Sequence, residues 1–196
     1  MDAIKLANCT LGPHFPEWLR SQNSFSILDI SSAGISNTVP HWFWDLSPRL
    51  QFLNISNNQI RGMLPDLSLK FDLFPFIDLS YNRFKGPIPF FPRNLSSLNL
   101  AKNMFSGSVI SLCTIVTGYL SFLDLRDNLL SGEVPDCWIG ATNLKMIDLA
   151  NNNFSGKIPA SFGFLDQLNF LNLRNNSFIG ELPSSLKKCS HLRFIT

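Results

Sequence analysis

The chain has 196 residues, of which 45% are hydrophobic and only 15% charged, so it is long and apolar enough to bury a core and is not a disordered polymer. A net charge of +2, with Lys and Arg scattered along the chain, excludes a nucleic-acid groove or a polybasic membrane patch. No apolar run reaches the roughly 18 to 20 residues of a membrane helix, and "MDAIKLANCT" has neither the basic segment nor the apolar core of a secretory leader.

One unit repeats along the chain. Its pattern is L-x-L-x-x-N-x-[LFI]-x-G-x-[ILV]-P, and its N position falls at Cys9, Ala33, Asn58, Asn82, Asn103, Asn128, Asn152 and Asn176, at intervals of 24, 25, 24, 21, 25, 24 and 24 residues. Cys9 is an accepted variant and Ala33 a departure. In each unit the residues before the N position alternate with period two, as Leu123 and Leu125 do against Phe122, Asp124 and Arg126. That predicts a short strand with one inward and one outward face. About eight such strands stack into a parallel sheet at roughly 4.8 Å per repeat, and each is stabilised by its neighbours.

After the strand the chain bends, and its backbone groups turn inward away from water. A carboxamide offers donors and an acceptor together, so an inward Asn can satisfy its own bend and that of the next repeat. Asn58, Asn82, Asn103, Asn128, Asn152 and Asn176 are therefore read as a structural ladder, because a catalytic group would not recur in every repeat. At Ala33 the missing partner is expected to be a water or the hydroxyl of Ser31 or Ser32. Gly62, Gly86, Gly107, Gly132, Gly156 and Gly180 stand four residues after the ladder position, where a tight turn is expected, and prolines follow. In the 21-residue interval, "IPFFPRN" places Pro89 and Pro92 where extended chain should replace a helical turn. "HWFW", from His41 to Trp44, reads as packing on the convex side.

Cys113 and Cys137 lie ten and nine residues after their ladder positions, on adjacent coils about 5 Å apart, which makes them a disulfide candidate. The alternative is two small buried hydrophobes, and Cys9 and Cys189 read as core residues. N-x-[ST] sequons make Asn8, Asn54, Asn94, Asn153 and Asn175 glycosylation candidates. Asn54 should project from the outward strand face, where a glycan would obstruct binding.

That face carries the candidate ligand-facing residues Phe52, Phe76, Phe122, Arg126, Met146, Phe170 and Arg174, since aromatics and arginines dominate recognition surfaces. A competing reading has each Phe packing on the next as a stabilising ladder. The column Asp29, Asn54, Asp78, Asn99, Asp124, Asp148 and Asn172 is read as a hydrogen-bonded surface stripe rather than as paired catalytic carboxylates, because it repeats. His14, His41 and His191 have no metal-ligand spacing. No catalytic residue, metal or cofactor is expected.

The tails "LSGEVP", "FSGKIP" and "FKGPIP" resemble the plant-specific class of leucine-rich repeats, over essentially the whole chain. "CTLGPHFPEWLRSQ", "LDISSAGISNTVPHWFW" and "SGEVPDCW" are similar to plant receptor-like proteins, particularly the receptors for fungal ethylene-inducing xylanase. The resemblance implies an α/β repeat solenoid with a parallel sheet on the concave face and 3-10 or extended segments on the convex side. It implies a parent at the extracellular side of the plasma membrane with a capped array; the chain departs from that pattern and is expected to be a single array over residues 1–196, an interior fragment without terminal caps. Implied partners of the full-length parent are a protein, peptide or glycan ligand and a co-receptor kinase, with no nucleic acid and no direct membrane contact in this segment. Three alternatives share the repeat class: a receptor-kinase ectodomain, a secreted polygalacturonase-inhibitor-like protein and a non-functional gene fragment.

Overall fold

The computed structural model describes residues 2–22, 24–46 and 48–196. Its strands are β1 (Ala3–Lys5), β2 (Ile27–Asp29), β3 (Phe52–Asn54), β4 (Arg61–Gly62), β5 (Phe76–Asp78), β6 (Arg83–Gly86), β7 (Ser97–Asn99), β8 (Met104–Gly107), β9 (Phe122–Asp124), β10 (Leu129–Glu133), β11 (Met146–Asp148), β12 (Asn153–Lys157), β13 (Phe170–Asn172), β14 (Ser177–Ile179) and β15 (Phe194–Ile195).

The first strand of every coil joins one parallel sheet of nine strands, β1-β2-β3-β5-β7-β9-β11-β13-β15. The ninth, β15, lies beyond the eight repeats counted from the ladder pattern. Register is constant, with Phe76 beside Phe52 and Ser97, and Asp124 beside Asn99 and Asp148. The central residue of each strand points into the solenoid: Leu28, Leu53, Ile77, Leu98, Leu123, Ile147 and Leu171 are all fully buried. Side-chain alternation puts the first and third residues on the opposite, concave face.

A second parallel sheet, β14-β12-β10-β8-β6-β4, follows the bends. Its strands are two to five residues long and rich in Gly, Ser and Phe, too short for a period-two pattern in the sequence to mark them. Stacked coils bring their extended backbones into pairing distance all the same.

Short 3-10 helices line the convex side at Glu17–Ser21, His41–Asp45, Ile110–Thr114, Trp138–Gly140, Ala160–Phe164 and Ser184–Lys188. Between β6 and β7, the interval that contains Pro89 and Pro92, no helix forms. Phe43 and Trp44 of the "HWFW" helix are buried, with Phe15 and Trp42 ringed edge-on around Phe43. None of the helices is long and apolar enough to cross a membrane among the described residues.

The ladder asparagines tie the coils together. Asn128 accepts from Phe105 N–H at 3.0 Å and donates to the carbonyls of Leu100, Leu125 and Arg126 at 2.9, 3.1 and 3.2 Å. Asn58, Asn82, Asn103, Asn152 and Asn176 repeat this arrangement. The coil served besides the residue's own is the preceding one, not the next, because the side chain leans back toward the bend already laid down.

At Ala33 no hydroxyl substitutes for the carboxamide. Backbone does so instead: Leu11 and Gly12 N–H both donate to Ala33 C=O, at 3.0 and 2.9 Å, and the Ser31 hydroxyl is taken by Asp29. Gly12 permits this approach, since a Cβ there would lie 1.8 Å from Gly34 O. Asn58 of the following coil supplies the acceptor for Ala33 and Ile35 N–H. Cys9, expected in the core, is exposed in the first described coil, whereas Cys189 is buried.

Candidate functional site

The concave sheet presents two side-by-side columns. The first runs Ala3, Ile27, Phe52, Phe76, Ser97, Phe122, Met146, Phe170 and Phe194 in strict register. Phe52 and Phe76 stack with centroids 4.9 Å apart and planes at 6°, and Phe170 meets Phe194 at 6.4 Å. The column is not a continuous aromatic ladder. Ser97 interrupts it, and its buried hydroxyl has no hydrogen-bond partner. Phe122 and Met146 are half-buried and stand beyond this gap without ring partners among the described contacts. An aromatic side chain without a neighbouring ring keeps its face available for an incoming group.

The second column is Asp29, Asn54, Asp78, Asn99, Asp124, Asp148 and Asn172. Each Oδ1 accepts the backbone N–H two residues on, at 2.9 to 3.2 Å. Amide and carboxylate alternate in places, so that Asn99 Nδ2 donates to Asp78 Oδ2 at 3.0 Å and Asn172 Nδ2 to Asp148 Oδ2 at 3.2 Å. The surface-stripe expectation fails at two members, because Asp124 and Asp148 are each only 2% exposed.

Arg126 makes this burial tolerable. Its Nη1 lies 3.2 Å from Asp124 Oδ2 and 3.6 Å from Asp148 Oδ2, while its Nε is 4.0 Å from Asp127. Burial still dominates at Asp124 and pushes its carboxyl up to about 6, against the lowering effects of Arg126 N–H and the guanidinium. The guanidinium itself is held above its ordinary range by Asp124 and Asp148, against its own desolvation. Arg174 is exposed two coils on and has no such partner among the described residues. The chemistry this face can offer is aromatic and aliphatic contact beside fixed charges. Among the described residues no three His, Cys, Asp or Glu side chains gather to hold a metal.

Cys113 and Cys137 are joined by a disulfide with Cα atoms 5.8 Å apart, linking adjacent convex turns away from this face. Of the five sequons, Asn54 is half-buried on the concave sheet, Asn94 is half-buried at the edge before β7, and Asn8, Asn153 and Asn175 are exposed. Neither the buried pair of carboxylates nor the gap at Ser97 was singled out from sequence, although a serine in a row of aromatics is a visible signal.

Comparisons with known proteins agree with this geometry. Residues 119–178 and 49–70 match models of the leucine rich repeat family. The chain is 46% identical over 141 residues to Receptor-like protein EIX2 of Solanum lycopersicum, covering 72% of this chain and 14% of that protein. It is 48% identical to Receptor-like protein EIX1 of the same species over 95 residues, covering 48% and 9%. Among solved structures, a TDR receptor superposes with a TM-score of 0.89 at 28% identity, covering 98% of this chain and 33% of that one. The Arabidopsis receptor kinase HAESA, solved with the peptide hormone IDA and the co-receptor SERK1, gives 0.75 at 35% identity over 88% of this chain and 29% of that one. The chain thus spans a small part of each relative's length.

Proposed function

This chain belongs to the leucine-rich-repeat receptor-like proteins of plants, and from that premise we propose that it is a ligand-recognition segment of a cell-surface receptor acting in defence signalling. Its role is recognition, not catalysis. The observation that carries the reading is the concave face itself, where the half-buried Phe122 and Met146 begin the two strands whose buried Asp124 and Asp148 hold the Arg126 guanidinium. A rigid aromatic group beside a pre-positioned guanidinium is the composition of a binding hot spot. The ligand is a protein, peptide or glycan met outside the cell, and the full-length parent signals from the plasma membrane with a co-receptor kinase.

The likeness to HAESA supports a second reading, in which the parent is itself a receptor kinase and this segment is part of its ectodomain. Both readings place recognition on the same face. The test is binding of immobilised full-length chain to ethylene-inducing xylanase, compared with the Phe122→Ala and Arg126→Ala variants. Loss of at least about tenfold in affinity, some 1.4 kcal/mol, is expected in each variant. Equal binding by all three proteins would move recognition off the concave sheet.

A further inference from the structure

One edge of the solenoid carries a feature that the concave face does not use. Phe74 and Tyr119 form the one ring contact among the described residues in which both rings are exposed, by 53 and 54%, with centroids 4.7 Å apart. Phe74 stands two residues before its strand, a position at which Leu50, Leu95, Leu120, Leu144 and Leu168 are all buried. An aromatic ring thus lies outside where the repeat puts an aliphatic side chain inside, forgoing its burial. The two rings come from coils that are not neighbours. Between β5 and β9 passes the coil of β7.

That intervening coil carries Asn94-Leu95-Ser96, an acceptor sequon. Its backbone and side chains are tied on both sides. Asn94 Nδ2 donates to Asp72 O at 2.9 Å, and Ser96 Oγ to Phe74 O at 3.1 Å and Pro75 O at 2.8 Å. On the other side Thr117 Oγ1 donates to Arg93 O at 3.0 Å. Asn94 is therefore held between the two backbone segments that present the rings.

We propose that Asn94 carries an N-linked glycan whose first N-acetylglucosamine rests on the Phe74–Tyr119 pair. The inference rests on the extracellular reading above. In the covalent step the Asn94 amide nitrogen bonds to the sugar C1 of a lipid-linked pyrophosphate donor. The C1–O bond breaks, the lipid pyrophosphate leaves with the electron pair, and the transferase takes one amide proton. The modified nitrogen retains one hydrogen for Asp72 O, which sets the direction in which the sugar leaves the surface. The C–H face of a pyranose is apolar and faintly positive, and it suits the negative face of an aromatic ring. A glycan here also covers an exposed apolar patch that would otherwise invite association.

The other sequons lack this platform. Asn54 Oδ1 is bonded to Ser56 N–H within the concave column, and Asn175 Nδ2 donates to Asn151 Oδ1. Asn8 and Asn153 are exposed on coils that carry no exposed ring pair.

The test directs the full chain into the secretory pathway of plant cells with a fused leader and maps its glycopeptides by mass spectrometry. Asn94 is expected to be occupied in most molecules, and an unoccupied Asn94 overturns the site. The Asn94→Gln variant is then compared with wild type by thermal melting, and again in a Phe74→Ser, Tyr119→Ser background. The Asn94–Asp72 hydrogen bond is lost in both backgrounds, so the loss is expected to be greater by roughly 2 to 4 °C with the rings present than without them; equal losses overturn the platform. Should the ring-less variant not be secreted, native wild-type protein is treated with an amidase that cleaves the Asn–sugar bond. Release from Asn94 several-fold slower than from Asn153 is expected, and equal release overturns the platform. If the parent is not extracellular, its natural form lacks glycans at all five sequons while the leader-fused chain still carries the one at Asn94, so the two failures are distinguishable.

Discussion

Asn128 closes two bends at once, and its burial leaves no water to take its place. Asn128→Ala strands the buried Phe105 N–H, at about 1 to 3 kcal/mol, and takes one of two donors from each of the Leu100 and Leu125 carbonyls, which Asn103 and Asn152 still reach. A melting temperature lowered by several degrees is expected in calorimetry. Little change would mean that backbone closes the gap, as it does at Ala33. Asp124 offers a second residue-scale prediction, this time in pH. Its folded-state pKa of about 6 lies above the ordinary 3.8, so the folded protein takes up the proton first. Asp124 therefore costs stability above pH 6, and the cost disappears as pH falls toward 4; two pH units bound it at about 3 kcal/mol. Asn54, Asn99 and Asn172 show that a carboxamide serves the same backbone N–H. Asp124→Asn should thus melt no lower than wild type at pH 7.5 and lose this part of the gain on acidification. Parallel melting curves across pH 4 to 7.5 would refute it.

At the scale of the element, Gly132 shows what the bend requires. Its φ is +84° and an added Cβ would meet nothing within 4 Å, so Gly132→Ala isolates the cost of left-handed backbone, about 1 to 2 kcal/mol. Gly118→Ala is the control. Its φ lies outside the left-handed region and the added atom makes ordinary contact with Thr142 at 3.4 Å, so denaturant melts should show a shift for Gly132 and almost none for Gly118. The concave strands were legible because Leu, Ile and Phe alternate in them with polar residues over a packed face. The second sheet was not, since strands such as Asn153–Lys157 have no apolar alternation and exist only through their neighbours. The same limit applied to the site. Phe122 and Arg126 could be assigned to one face by period two, but the burial of Asp124 and Asp148 depends on side chains from adjacent coils, which no single repeat reveals. Phe74 was illegible for a related reason, as its position in the repeat is otherwise a core position.

The whole molecule is a one-dimensional stack in which each coil touches mainly the next, so stability should be distributed along its axis rather than shared by a common core. Central coils have neighbours on both sides, and Leu98, Leu123 and Ile147 are fully buried. In the last described strand Phe194 and Ile195 are 62 and 40% exposed. Amide hydrogen exchange should accordingly be slower at β7, β9 and β11, whose inward residues are fully buried, than at β15, whose residues are exposed. The disulfide places a further constraint in this gradient. It closes a loop of 24 residues, worth about 3 kcal/mol if the entropy of the unfolded chain is what it removes. The Cys113→Ser, Cys137→Ser double variant should therefore exchange faster across residues 104–148 while residues 27–60 keep their rates. Acceleration spread evenly from β2 to β13 would show instead that the array opens as one cooperative body, and that a ligand bound on one coil could be felt at both ends.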